Sequence, residues 1–172
     1  NFTLGQTTSF TVFPSNITFS TIGSTRTNIT SNNDPIILNN TGNKEINSTG
    51  ITINATNLVG ESNSAFALYA ANFSISNDTG SSIECNGTKL QRAAFVLVNN
   101  SATPVSANLS RGNHSLNDGV TAYENLYMCL NIAGNELPSQ EYSTLSQGLV
   151  LVRFSLFSLR GLYHKKFNIS PR

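Results

Sequence analysis

The residues of this chain with the clearest chemistry are asparagines in Asn-x-Ser/Thr triplets, which accept N-linked glycans in secreted proteins. There are thirteen such triplets and none has proline in the middle. That is roughly twice the number expected from chance placement of 24 Asn and 40 Ser or Thr residues. The acceptors are Asn1, Asn16, Asn28, Asn39, Asn47, Asn54, Asn72, Asn77, Asn86, Asn99, Asn108, Asn113 and Asn168. The pattern predicts a secreted protein with covalently attached N-glycans.

The position of three acceptors within alternating segments supports surface attachment, because side chains alternate between the two faces of a strand. Asn16 falls on the opposite face from Ile17 and Phe19. Asn1 and Asn54 are placed in the same way relative to their apolar neighbours. We therefore expect these acceptors on the outward face of a half-buried sheet.

The two cysteines, Cys85 and Cys129, are an even number in a chain with signs of secretion, and this predicts a disulfide between them. Two buried thiols and an intermolecular link remain as alternatives. Neither cysteine lies in a Cys-x-x-Cys motif or near a histidine, so a metal site is not predicted.

No pattern of residues points to catalysis. The two histidines, His114 and His164, have no accompanying nucleophile motif, and the nine acidic residues are dispersed. Asn32, Asn33 and Asp34 carry oxygen ligands of the kind Ca²⁺ prefers, but the spaced acids of a calcium loop are absent, and a turn capped by Asx side chains is favoured. We predict no catalytic residue, no metal and no cofactor.

Composition sets the broad class of protein. The 172 residues suit one domain, and only 11% of them are charged, against about 25% in average soluble domains. The net charge of +1 argues against nucleic-acid binding, and the basic stretch 160–172 is predicted to be a solvated tail. The chain does not begin with Met, which suggests a mature form whose signal peptide is removed. No apolar run reaches roughly 18 residues, so no transmembrane segment is predicted, and the expected location is extracellular or at the cell surface.

Hydrophobic alternation predicts an all-β domain. Residues 1–13 read as a one-sided strand, with Phe2, Leu4, Phe10 and Val12 on one face, which ends at Pro14. Residues 24–33 fit an edge strand or a loop, and 65–75 fit a bulged strand, a strand buried on both faces or a short helix. Further strands are predicted over 16–22, 36–38, 45–58 with a possible bulge at Gly50, 93–98, 105–109, 120–132 and 148–159, with a hairpin turn at 117–119. About eight or nine strands with frequent turns favour a β-sandwich or barrel.

A family resemblance covers residues 15–60. Its motifs are Phe19-Ser20-Thr21-Ile22-Gly23, Asn33-Asp34-Pro35-Ile36, Asn40-Thr41-Gly42-Asn43 and Ile53-Asn54-Ala55-Thr56-Asn57-Leu58, with weaker echoes at 85–88, 123–130 and 140–144. In these motifs the chain resembles small secreted Ig-like sandwich proteins of archaea. It is similar to subunits of archaeal extracellular threads and bundling pili, and to camelysin/TasA-type filaments. The resemblance implies an Ig-like or jelly-roll sandwich over 15–159, polymerised by donor-strand complementation.

Three functions are compatible with these observations. In a filament subunit, residues 1–13 would be the donor strand, and Phe2, Leu4, Phe10 and Val12 would fill pockets on the next copy in a head-to-tail homopolymer. In a self-contained surface-layer or envelope module, residues 1–13 would instead be the domain's own first strand. In a carbohydrate-binding adhesin, aromatic residues would line a polar groove, although tyrosines at strand positions more often pack in or near the core. The candidate aromatics are Tyr123, Tyr127 and Tyr142.

Overall fold

The protein is all-β, as the sequence predicts. A computed structural model describes residues 1–20, 27–76, 95–105, 107–111, 122–134, 136–144, 152–156 and 163–169, with backbone only at 27, 95 and in the last two ranges. The strands are β1 (Phe10–Phe13), β2 (Asn16–Ile17), β3 (Thr27–Thr30), β4 (Ile36–Asn40), β5 (Ile51–Ala55), β6 (Leu58–Gly60), β7 (Ala67–Leu68), β8 (Phe73–Ser76), β9 (Phe95–Val96), β10 (Ala102–Pro104), β11 (Tyr123–Ile132), β12 (Tyr142–Ser143), β13 (Val152–Leu156) and β14 (Tyr163–Ile169).

These strands form two larger sheets and one small sheet. The first sheet has the order β1-β4-β11-β8-β9, with β3 also paired to β11. The second has the order β10-β5-β13-β14-β2, and the small sheet has the order β12-β6-β7. Neighbouring strands are antiparallel except for β14 and β2, which run parallel.

One apolar core joins the two larger sheets. Strand β4 places alternate side chains inward, as a strand with one face on the core must, and β5 does the same with Ile51, Ile53 and Ala55, although Thr52 on its other face is also buried. The same buried cluster contains side chains of β1, β4, β8 and β11 from the first sheet and of β2 and β5 from the second. The largest fully buried side chains are Phe73, Ile17, Ile36, Leu38, Ile51, Ile53, Ile75, Leu97, Leu109 and Leu126. The arrangement is therefore sandwich-like.

Several segments differ in detail from the predicted strands, and one of them is the predicted strand 105–109, because β10 lies just before it at Ala102–Pro104. Residues 45–58 are not one bulged strand, because 47–50 form a turn in which the Gly50 N–H donates to the Asn47 carbonyl oxygen at 2.8 Å. Small polar residues and glycine favour such a turn over a continuous strand. Residues 65–75 divide into β7, a 3-10 turn at Ala70–Asn72, and the start of β8. All four residues of β8 are buried, so this strand is covered on both faces.

The basic segment 160–172, predicted to be a tail outside the sandwich, contributes strand β14. Its backbone pairs with β13 on one side and β2 on the other. The sequence carries a signal for this strand, since Tyr163, Phe167 and Ile169 share one parity, but the neighbouring charges favour a solvated tail. The predicted turn at 117–119 lies outside the described residues.

Candidate functional site

The first four residues of the chain project from the first sheet. Phe2 is 94% exposed and Leu4 is 75% exposed, although both are large apolar residues. Within the described part of the chain, no hydrogen bond involves the backbone of residues 1–4. We refer to residues 1–4 as the leading segment.

Residues 5–9 are attached to the turn that follows β4. The side-chain amide of Asn43 accepts a hydrogen bond from the Thr7 N–H at 2.6 Å and donates to the Gly5 carbonyl at 2.9 Å. The Ser9 carbonyl accepts from the N–H of Gly42 at 3.2 Å. A Cβ atom at Gly42 would collide with the Thr7 carbonyl oxygen, so this close approach requires glycine. Gly5 is the first residue of the chain that is attached in this way, and the leading segment lies before it.

The four residues predicted to act as a donor strand fall into two pairs. Phe2 and Leu4 lie in the exposed leading segment, whereas Phe10 and Val12 lie in β1, which pairs with β4 of the same chain. Val12 is only 4% exposed and belongs to the core, and Phe10 packs against that core. Of these four side chains, therefore, only Phe2 and Leu4 are exposed and available to a neighbour.

The predicted glycan acceptors with described side chains all reach the surface. Those classed as exposed are Asn1, Asn28, Asn47, Asn99 and Asn108, and those classed as half-buried are Asn16, Asn39, Asn54 and Asn72. Asn77, Asn86 and Asn113 lie outside the described residues, and Asn168 is described only as backbone of β14. Surface position is necessary for glycosylation, and the modification itself stays a prediction.

Several asparagines outside the acceptor positions hold the backbone together. Asn40 is buried, and its amide donates to the carbonyls of Lys44 and Ser110, each at 2.9 Å, while its oxygen accepts from the Gly42 N–H at 2.9 Å. Asn33 accepts from the Thr18 N–H at 3.0 Å. The high asparagine content thus has a structural use that the sequence did not reveal.

Three of the acceptors also make side-chain hydrogen bonds, and in one of them the Asn47 side-chain oxygen accepts from the Thr49 hydroxyl at 3.1 Å. The Asn72 amide donates to the Ile132 carbonyl at 2.8 Å, and the Asn99 oxygen accepts from the Asn57 N–H at 3.0 Å. The side chain of Asn39, by contrast, makes no hydrogen bond within the described part of the chain. Asn39 can therefore carry a substituent without losing a side-chain hydrogen bond within the described part of the chain.

Cys129 lies buried in β11, opposite Thr30 of β3 and Ser74 of β8, and its thiol is not free. Its predicted partner, Cys85, lies outside the described residues, so the pairing stays a prediction.

No group of three or more His, Cys, Asp or Glu side chains suited to a metal occurs among the residues that the structure describes. The Asp34 carboxylate accepts a hydrogen bond from the Met128 N–H.

The three tyrosines considered for carbohydrate binding do not share one sheet. Tyr123 is 40% exposed and Tyr127 half-buried, and both belong to β11. Tyr142 belongs to the small sheet, where its hydroxyl donates to the Pro138 carbonyl at 3.0 Å and lies 3.3 Å from the Gln140 amide nitrogen. The hydroxyl of Tyr142 is thus already engaged by its own loop.

Comparison with known proteins adds no relative from which a function could be transferred. No protein-family model, curated protein or solved structure matches the chain. In the regions described above, no helix has the length and apolar character needed to cross a membrane.

Proposed function

We propose that this chain is a structural subunit of an extracellular, N-glycosylated filament, in which the leading segment of one copy binds the next copy by donor-strand complementation. The observation that carries the proposal is the exposure of Phe2 and Leu4. Residues two positions apart lie on the same face of a strand, so both side chains can enter pockets of one partner.

The energetics favour capture of this segment. Burying a large aliphatic or aromatic side chain that is otherwise in water contributes about 1.5–3 kcal/mol. The unbonded backbone groups of residues 1–4 can add main-chain hydrogen bonds to a sheet edge. A donor on one copy and an acceptor elsewhere on the next make a head-to-tail contact, which produces open filaments unless the rotation closes a ring.

The surface of the chain suits an extracellular, glycosylated assembly. Few residues are charged, so uncharged amide and hydroxyl groups supply most of the polar surface. Nine predicted acceptors lie at that surface, and glycans there would add solvation that charges do not provide.

The test is to place a charge in the leading segment. In a Phe2→Asp/Leu4→Asp variant we expect folded monomers, because an aspartate in an apolar pocket loses its hydration without a partner. Light scattering and negative-stain electron microscopy measure assembly, and thermal unfolding verifies the fold. Tyr69→Asp is the matched control, since Tyr69 is 57% exposed but lies at the start of the 3-10 turn and outside the leading segment. Filaments formed by the double variant would contradict the proposal.

A self-contained surface-layer or envelope module is the second candidate. It is favoured by the pairing of β1 with β4 within the same chain and by the burial of Val12. In that case the intact protein stays monomeric at high concentration, and deletion of residues 1–4 changes neither its fold nor its state of association.

A further inference from the structure

The outer face of the first sheet carries an exposed apolar surface around one predicted glycan acceptor. Strands β1, β4 and β11 lie side by side, and their registers align residues in rows. The two outward rows are Thr11–Asn39–Tyr123 and Phe13–Ile37–Asn125. Between these rows Val12 and Leu38 point into the core. We call Phe13, Ile37 and Tyr123 the outer platform.

The outer platform is apolar and partly exposed. Phe13 and Tyr123 are 69% and 40% exposed, and Ile37 is half-buried. None of the six residues in the two rows carries a charge. Aromatic and branched side chains on an outward sheet face gain free energy when an apolar surface covers them.

Asn39 stands at the centre of this surface. Tyr123 is its direct cross-strand neighbour, and such pairs have Cβ atoms about 4.5–5.5 Å apart. Ile37 lies on the same face two residues earlier, and Phe13 is the diagonal neighbour, at about 7–8 Å for such positions. A sugar ring attached to the Asn39 amide nitrogen therefore starts within reach of all three platform residues.

We propose that the first sugars of an N-glycan on Asn39 lie on the outer platform, with the apolar C–H face of the sugar ring against Tyr123. The proposal rests on the glycosylation part of the proposed function. The glycan is favoured over other occupants because its covalent attachment removes the translational cost of association. A pyranose ring offers C–H groups on one face and hydroxyls at its rim, which suits an uncharged aromatic surface beside Asn and Thr.

The test compares four proteins made in a host that attaches N-glycans: the parent, Asn39→Gln, Tyr123→Ala and the double variant. Peptide mass spectrometry establishes occupancy of Asn39, and thermal unfolding gives Tm. We expect Asn39→Gln to lower Tm by about 2–4 °C in the parent, the shift that corresponds to one sugar–aromatic contact in a domain of this size. In the Tyr123→Ala background the same substitution lowers Tm by clearly less.

Two further variants separate the contact from general effects. Asn47→Gln removes a glycan from an exposed turn outside the sheets and should leave Tm nearly unchanged. Tyr123→Phe retains the ring and should retain the effect of Asn39→Gln, and this readout survives if Tyr123→Ala folds poorly. Additive effects of the two substitutions, or an Asn39 that carries no glycan, overturn the proposal.

A second copy of the chain is the competing occupant. It predicts that Tyr123→Ala weakens self-association whether or not Asn39 is glycosylated, and this result also overturns the proposal. Filament formation is scored separately by electron microscopy. Failure of the glycan contact is therefore distinguishable from failure of the filament.

Discussion

At the scale of single residues, Asp34 has the most unusual environment among the described carboxyl groups. It lies between β3 and β4, which pair with separate parts of the same edge of β11, and it supplies an acceptor for the Met128 N–H in the gap. Burial raises the pKa of Asp34 from 3.8 to about 6, although the hydrogen bond from the Met128 amide acts in the opposite direction. The Asp34 carboxyl group thus takes the place of a backbone carbonyl as the acceptor for the Met128 N–H, and its burial disfavours the charged form.

This shift predicts an effect of pH on stability. The pKa of Asp34 is higher in the folded state, so at a pH between the unfolded and folded pKa values folding takes up a proton. The contribution of Asp34 to the free energy of unfolding therefore decreases as the pH rises from about 4 to above 6. Asp34→Asn keeps an acceptor oxygen for Met128 without a charge. We expect the stability of this variant relative to the parent to increase over that pH range, as measured by urea unfolding at several pH values. A difference that is independent of pH would contradict the assignment.

We expect truncation of two adjacent asparagines to have different effects on stability. Asn40→Ala removes three hydrogen bonds at a buried position and should destabilise the protein by about 2–4 kcal/mol. Asn39→Ala is the matched control, because its side chain points outward and makes no hydrogen bond in the described region. In protein made without glycans, urea unfolding should show almost no change for this control. Equal losses for the two variants would contradict the division between structural and acceptor asparagines.

At the scale of elements, strand β14 is the clearest difference from the sequence analysis. The basic residues of 160–172 suggested a solvated tail, yet β14 is an internal strand of the second sheet. Strand β13 pairs with β14 on one edge and with β5 on the other, whereas β14 is the strand partner of β2, which contains the fully buried Ile17. The position of β14 in the sheet depends on pairing with strands distant in sequence, and the local charge pattern does not indicate such pairing.

Deletion of residues 163–172 tests the role of β14. The loss opens the edge of β13 and removes the partner of β2, so we expect Tm to fall by about 10 °C or more, or cooperative unfolding to disappear. Deletion of residues 1–4 serves as the comparison and should leave the Tm of the monomer within a few degrees. A 163–172 deletion that unfolds like the parent would show that β14 is dispensable.

At the scale of the whole molecule, the alternating strands and frequent turns were sufficient to predict the class of fold. Strand β4 contains the predicted strand 36–38, β5 lies within the predicted strand 45–58, and β8 is buried on both faces, one of the arrangements that its sequence allowed. The order of strands within the sheets was not predictable. It depends on contacts between residues far apart in the chain, such as those that bring β11 between β4 and β8.

The candidate site shows the same division between local and distant information. The apolar alternation of residues 1–13 and the positions of the Asn-x-Ser/Thr triplets are local patterns, so they can be recognised from the sequence alone. The burial of Val12 in the chain's own core, the exposure of Phe2 and Leu4, and the position of Asn39 beside Tyr123 depend on the tertiary structure. The physical reason is that burial and cross-strand neighbours are set by which strands pair, and that pairing minimises the free energy of the entire sandwich.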